Sequence, residues 1–448
     1  MAIPSSNAIV KRIVVKANCV LATPALIGSG AKENTDSDIL RNSQDKPFIP
    51  GTTIAGVLSE LSTAIGEMIS DKDRLSPLWV FDAEFTKANE IILDGVALNY
   101  ENKVAKDEEK YDYEAIDTGA EFTLRLLLNI RESDKGKKYE ERLKEIVGAL
   151  KDGHVALGAK TKRGFGRLEC ASAVKREFDL TKGNTADLES WIGFDWDDNT
   201  GWREAEAVGY SKNVSTVTVN LKLDGSIMIR DIRNIYNNLR ENESAPDYKH
   251  LTSNDKPVIL GTSWAGAFRS TLRRLLTQKH NDWAEKYLKG VFGFVEESGK
   301  NDETATAEVS QVVFNASFLE RNNEITEGFR SVTRVKIDRF TGGAVVGALF
   351  TEKPWYGGTT TLVIHYPKGR DDIKELLLLG IDAIDKGILQ VGGESAVGRG
   401  FFAVDKEKLM LDDIKIDADQ PKHKLIEAIE AMKEKEETVA EDKVGESA

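Results

Sequence analysis

Lys46-Pro-Phe-Ile-Pro-Gly-Thr-Thr-Ile-Ala-Gly56 and Lys256-Pro-Val-Ile-Leu-Gly-Thr-Ser-Trp-Ala-Gly266 are two copies of one pattern. Each reads as a short extended piece, a turn glycine, a hydroxyl pair and the start of a helix. Thr52/Thr53 and Thr262/Ser263 are suited to N-caps, because a hydroxyl oxygen can accept from the free amides of the first turn. Ile54, Val57, Leu58 and Leu61 then continue at helical spacing, as do Trp264, Phe268, Leu272 and Leu275 in the second copy.

Working outward, two further segments recur in the same order. Val80-Phe-Asp-Ala-Glu-Phe85 matches Val313-Phe-Asn-Ala-Ser-Phe318, and the alternating apolar residues indicate a half-buried strand. Gly158-Ala-Lys-Thr-Lys-Arg-Gly-Phe-Gly-Arg167 matches Gly392-Gly-Glu-Ser-Ala-Val-Gly-Arg-Gly400, each a glycine-rich loop followed by a short apolar run. Three ordered matches imply a duplication. The boundary falls between a strand ending near Val174 and a new strand, Val214–Leu223. We therefore expect a first domain over residues 1–178, a linker or insertion over 179–212, a second domain over 213–408 and a charged tail over 409–448. The tail bears Glu427, Glu430, Lys433, Glu434 and Glu437 and reads as a solvated appendage.

With later helices at Tyr139–Leu150 and Asp371–Lys386, each half runs strand, long loop, helix, strand, loop, strand, helix, strand. That is an α+β plan of two tandem ferredoxin-like βαββαβ sheets, similar to RNA-recognition (RRM-like) modules, with helices on one face and the other face free for RNA.

The 448 residues, 40% hydrophobic, supply a sizeable core for two or three domains. Cys19 and Cys170 are too few and too far apart in sequence for a disulfide framework or a zinc site, which fits a reducing cytoplasm. The N-terminus lacks a basic region with an apolar core, and no apolar run reaches membrane-spanning length, so a cytoplasmic protein without membrane contact is expected. The net charge of −13 argues against nucleic acid only as a sum. Acidity gathers beyond Asp405 and at Asp195–Asp198, whereas bases cluster at Lys160–Arg167 and Arg269–Arg274.

The Pro-Phe-Ile-Pro-Gly-Thr-Thr motif with its helix, and Lys-Arg-Gly-Phe-Gly-Arg-Leu at the end of the half, resemble signatures of the RAMP (repeat-associated mysterious protein) superfamily. More narrowly they resemble the Cas-seven-type backbone subunits of type III CRISPR complexes. Val335-Lys-Ile-Asp-Arg-Phe-Thr-Gly-Gly-Ala344 resembles the run leading into the thumb hairpin of such subunits. The likeness spans about Val10 to Phe402, and the tandem arrangement is similar to fused backbone proteins of the type III-D branch. It implies two RAMP domains with long inserted loops and thumb hairpins, here Asn99–Tyr113 and Arg339–Trp355. It also implies binding of CRISPR RNA and display of that guide to target single-stranded RNA, in company with other backbone, small and large subunits. Base pairing then does the sequence reading.

Glycines let backbone amides approach phosphates while neighbouring bases supply charge. The RNA-binding candidates are Thr52, Thr53, Lys160, Lys162, Arg163 and Arg167 in the first copy. In the second they are Thr262, Ser263, Arg269, Arg273, Arg339, Ser395 and Arg399, with Arg274 on the same helix. The resemblance further implies target cleavage by a loop aspartate with a divalent metal, magnesium. Asp36 matches best, Asp38 is its near rival, and Asp247 is the counterpart in the second copy, so Asp36 and Asp247 are the candidate metal ligands. Magnesium keeps much of its water and needs few protein ligands. His250 reads as a loop or RNA-contact residue. A non-catalytic guide-binding scaffold is the alternative. A guide-processing endoribonuclease is disfavoured, because no histidine precedes His154.

Overall fold

The computed structural model describes residues 7–30, 32–33, 35–70, 75–98, 105–181, 183–210, 213–231, 246–277, 282–295, 307–322, 327–417 and 423–431. Contacts divide the chain into two units. The first comprises Met1–Ile92, Tyr111–Thr161 and Phe165–Lys212, the second Leu93–Lys110, Lys162–Gly164 and Asn213–Ala448.

The first unit is built from β1 (Ile9–Leu21), α1 (Gly51–Ser59), α2 (Thr63–Ile69), β2 (Leu78–Val80) and β3 (Ala83–Lys87). The hairpin pair β4 (Glu90–Leu98) and β5 (Ala105–Ile116), whose stretch Leu93–Lys110 is assigned to the second unit, follows in sequence, then β6 (Glu121–Arg131), α3 (Tyr139–Lys151), β7 (Leu168–Asp179) and α4 (Thr185–Ile192). β1 is central, antiparallel to β6 on one side and β7 on the other, while β2 and β3 pair with β6. Alternation along β1 sends Ile13, Val15, Ala17, Cys19 and Leu21 to the helical face, where they pack with Ile54, Leu58, Ile146 and Leu150.

The second unit repeats this plan with β8 (Val214–Asp224), α5 (Gly261–Leu276), α6 (Asp282–Phe292) and β9 (Val313–Phe314). The hairpin of β10 (Val332–Ile337) and β11 (Ala344–Lys353) comes next, then β12 (Thr359–Pro367), α7 (Asp371–Asp385) and β13 (Phe401–Val404). β8 lies between β12 and β13, and β9 flanks β12, all antiparallel. Both units therefore have the ferredoxin-like order in which the first strand sits between the third and fourth. Trp264, Phe268 and Leu272 of α5 and Leu377, Ile381 and Ile384 of α7 close the second core over Val217, Val219 and Leu221. Trp264 is fully buried, and its Nε1 donates to Ser317 Oγ at 2.6 Å.

Each hairpin is inserted between the second and third strands of its sheet. In the second unit the hairpin spans Val332–Lys353, beginning before the expected Arg339–Trp355, and its tip presents Arg339 and a 98% exposed Phe340. In the first, β4 and β5 flank residues 99–104, which lie outside the described residues, as do Lys433, Glu434 and Glu437 of the tail.

Five local expectations change. The hydroxyl pairs are not caps: Pro50 and Leu260 hold the cap positions without a side-chain bond, and Thr52, Thr53, Thr262 and Ser263 lie in the first turn. Gly51 N instead donates to Asp82 Oδ1 at 2.6 Å, and a Cβ on Gly51 would stand 2.5 Å from the Val80 carbonyl oxygen. That capping turn breaks the expected strand Val80–Phe85 at Phe81-Asp82, and Val313–Phe318 breaks likewise between Phe314 and Ser317.

Residues 179–210 are not a free linker. Trp191, Phe194, Trp196 and Trp202 pack on Val14, Leu127 and Phe178, covering the non-helical face of the first sheet. Arg12 lies 4.2 Å from the Trp191 ring and Lys16 4.3 Å from Trp202, so the basic groups of that face are spent on aromatic rings. The open face expected in the first copy is closed. The tail also docks: Leu425 and Ile429 enter the second core, and Leu425 N donates to Glu375 Oε2 at 2.9 Å.

Candidate nucleic-acid interface

The two glycine-rich turns share their anchoring backbone hydrogen bonds. Leu157 N donates to the Gly166 carbonyl and Val391 N to that of Gly400; Ala159 N reaches Leu26 O, and Gly393 N reaches Met228 O. Gly158 and Gly392 have φ of 86° and 89°, and Gly166 and Gly400 have 70° and 79°. A Cβ at Gly166 or Gly400 would lie 1.8 or 2.0 Å from a backbone oxygen, so no other residue fits. Between them Lys160 and Glu394 adopt the same left-handed conformation, followed by single 3-10 turns at Thr161–Arg163 and Ser395–Val397.

The two turns carry opposite chemistry. In the first, Lys160 Nζ stands 3.3 Å from the centre of the Tyr113 ring and 4.7 Å from Tyr111, with the two rings stacked 5.9 Å apart. Lys162 and Arg163 are exposed. Arg167 is half-buried; desolvation brings its guanidinium down to about 10, and its Nε has no hydrogen-bond partner among the described residues. A cation in that state gains from an anion brought to it.

In the second turn the expectation for Arg399 fails. It is 3% exposed, and its Nη2 lies 2.7 Å from Glu352 Oε2 while Nη1 lies 2.8 Å from Glu394 Oε2. Arg334 joins the network at 3.3 Å from Glu352. Burial, then a hydrogen bond shared with Glu352, raises Glu394 above the ordinary carboxyl range. Arg399 thus neutralises carboxylates and has no surface for phosphate, whereas Ser395 is half-buried in the 3-10 turn. On α5, Arg273 Nε is paired with Glu285 Oε2 at 2.5 Å, and Arg269 is largely desolvated, which lowers its guanidinium. Arg273 is therefore committed to α6; Arg274 donates to Ile388 O and remains exposed.

The aspartate loops also correspond. Ser29 N donates to Asp38 O and Leu40 N to Ile27 O; Asp231 N donates to Lys249 O and Leu251 N to Ile229 O. This register makes Asp36 the counterpart of Asp247. Both are exposed, and each uses one carboxylate oxygen to hold a backbone amide of its hairpin strand: Asp36 Oδ2 accepts from Asp112 N at 3.0 Å, Asp247 Oδ2 from Thr351 N at 2.7 Å. Asp36 N in turn donates to Asp112 Oδ1 at 3.1 Å, which brings two carboxylates together.

Asp38 is excluded as the rival. It is buried, and its two oxygens accept from Glu33 N at 2.6 Å and from Thr35 N and Oγ1 at 2.8 Å. It braces the loop. His250 is fully buried, and desolvation brings its imidazole down to about 3. Its Nδ1 accepts from Ile229 N at 3.0 Å, so it is neutral and structural rather than an RNA contact.

A model of the RAMP superfamily matches residues 18–169 and again 245–403. The chain belongs to the RAMP superfamily. No curated protein matches the sequence. One matched region lies in each half of the chain, over much of each ferredoxin-like fold, so this is a tandem RAMP protein, and membership makes it a CRISPR-associated RNA-binding subunit. The superfamily includes RNA endonucleases. Among the described residues no helix is long and apolar enough to cross a membrane, and no three His, Cys, Asp or Glu side chains converge to hold a metal ion. The donors at Asp36 and Asp112 fit only a cation that keeps most of its water.

Sequence reading missed the Lys160–Tyr111–Tyr113 stack and the Asp36–Asp112 pairing. The alternating Tyr111-Asp112-Tyr113-Glu114 was the available signal, since it sends aromatic groups to one side of β5 and carboxylates to the other.

Proposed function

We propose that this protein is a backbone subunit of a type III CRISPR ribonucleoprotein, binding one guide at two successive stretches and cutting complementary target RNA at Asp36 and Asp247. The observation that carries the proposal is the shared register of the two aspartate loops, each anchored to the strand of an inserted hairpin next to a glycine-rich turn.

In the first unit the hydroxyls of exposed Thr52 and half-exposed Thr53, in the first turn of α1, suit phosphate oxygens. Lys160 and Arg167 supply positive charge there, and Tyr111 offers a partly exposed ring for a base; the exposed Lys162 and Arg163, assigned to the second unit, are further cations for phosphate. In the second unit Thr262, Ser263, Ser395 and Arg339 take the corresponding roles, with Arg399 holding the turn from beneath. Pairing with guide then fixes which target phosphate comes to each aspartate.

The free oxygen of Asp36 or Asp247 either helps hold magnesium or orients the attacking ribose hydroxyl. Magnesium, when bound, would neutralise charge at the scissile phosphate. Neighbouring backbone, small and large subunits complete the assembly. Purified complex carrying Asp36→Ala and Asp247→Ala tests this: each single change should remove one cleavage position, and the pair both. Unchanged cleavage would leave the scaffold reading, with guide binding intact.

A further inference from the structure

The only two cysteines of the chain are neighbours in space. β1 and β7 run antiparallel with Cys19 opposite Cys170, at a bulge that shifts the register between Asn18 and Cys19. Both side chains lie on the helical face of the sheet, Cys19 buried in the core and Cys170 half-exposed at its margin. Both are free thiols: Cys19 Sγ donates to the Ala17 carbonyl at 3.6 Å and Cys170 Sγ to the Ser172 carbonyl at 3.5 Å. Directly opposed residues of antiparallel strands stand about 4.5–5.5 Å apart at Cα, within the span of a disulfide.

We infer that Cys19 and Cys170 are a redox pair that closes to a cross-strand disulfide when a low-molecular-weight disulfide such as oxidised glutathione is present. The pair is asymmetric in the sense such a reaction needs. The neighbouring Cys19 thiol and then the Lys151 ammonium shift Cys170 toward thiolate, while the neighbouring Cys170 and burial hold Cys19 protonated. Cys170 is also the one that solvent reaches.

The Cys170 thiolate attacks one sulfur of oxidised glutathione and expels one glutathione thiolate. Cys19 then loses its proton to solvent, attacks the Cys170 sulfur and expels the second glutathione. Two protein thiols become one disulfide, and one glutathione disulfide becomes two thiols, so electrons balance. The bond would staple β7 to β1 just beyond the turn that ends at Arg167.

The full-length protein is incubated natively with oxidised glutathione, quenched in acid and analysed by intact mass and non-reducing peptide mapping. The expected result is loss of both titratable thiols, a mass lower by two hydrogens and one peptide pair joined through Cys19 and Cys170. Cys19→Ser should stop at a glutathione adduct on Cys170, and Cys170→Ser should leave Cys19 unreactive until the protein is unfolded. A lasting adduct on wild-type Cys170, chains joined through Cys170, or both thiols persisting in the native protein would overturn the inference.

Discussion

Replacing Arg399 by alanine separates a buried structural cation from a phosphate ligand. Arg399 and Glu352 are 3% and 1% exposed and 2.7 Å apart at their charged atoms, and Arg399 also neutralises Glu394. Removing one partner of such a pair leaves an uncompensated carboxylate and costs about 3–5 kcal/mol. Arg334 still reaches Glu352 at 3.3 Å, so the loss should fall at or below the lower end, about 2–3 kcal/mol. Because two units rule out a single unfolding transition, native-state hydrogen exchange is the assay. Peptides covering β11 and the 391–404 turn should exchange roughly 30- to 150-fold faster in Arg399→Ala, with peptides of β1 and β6 unchanged. Arg399→Met combined with Glu352→Gln should recover most of the protection, since an apolar and neutral pair avoids the orphan charge. Unchanged exchange in Arg399→Ala together with a tenfold loss of guide affinity would refute this reasoning and return Arg399 to the surface.

Lys162→Ala and Arg163→Ala should behave in the opposite way: each weakens RNA binding for all sequences and lowers the slope of log affinity against log salt by about one in filter binding, with exchange unchanged. Gly166→Ala and Gly400→Ala should each cost at least about 2 kcal/mol in chemical denaturation, because the added Cβ meets a backbone oxygen in both turns. In the first unit Glu177 is held down to about 2: against the cost of partial burial, Lys175, Arg203 and Lys11 ion-pair with it. A lowered carboxyl stabilises the fold above its ordinary value of 4.5 and loses that stabilisation as pH falls toward about 2. Acid titration followed by tryptophan fluorescence should therefore show a limb in that window that Glu177→Gln flattens.

Duplication and strand order were readable because glycines in forced conformations and alternating apolar strands leave a local signature. Gly158, Gly166, Gly392 and Gly400 mark the turns by the absence of a side chain, and Trp264, Phe268 and Leu272 mark a helix by spacing. Residues 179–210 were unreadable for the converse reason: Trp191, Phe194, Trp196 and Trp202 meet only through the sheet beneath them, so no period appears in the sequence. Register is equally silent. Asp38 and Asp36 differ in sequence by a single serine between them, yet one is tied down by Thr35 and Glu33 and the other is exposed. Arg399 reads as a loop base until Glu352, from a distant strand, is placed against it.

RNA retained by the full-length protein, cross-linked by ultraviolet light and mapped by mass spectrometry of the attached peptides, tests the two-module claim most directly. Cross-links should appear in both the 158–167 and 392–400 turns, at two separated stretches of one guide. Attachment confined to one half of the chain, or purification without RNA, would contradict it.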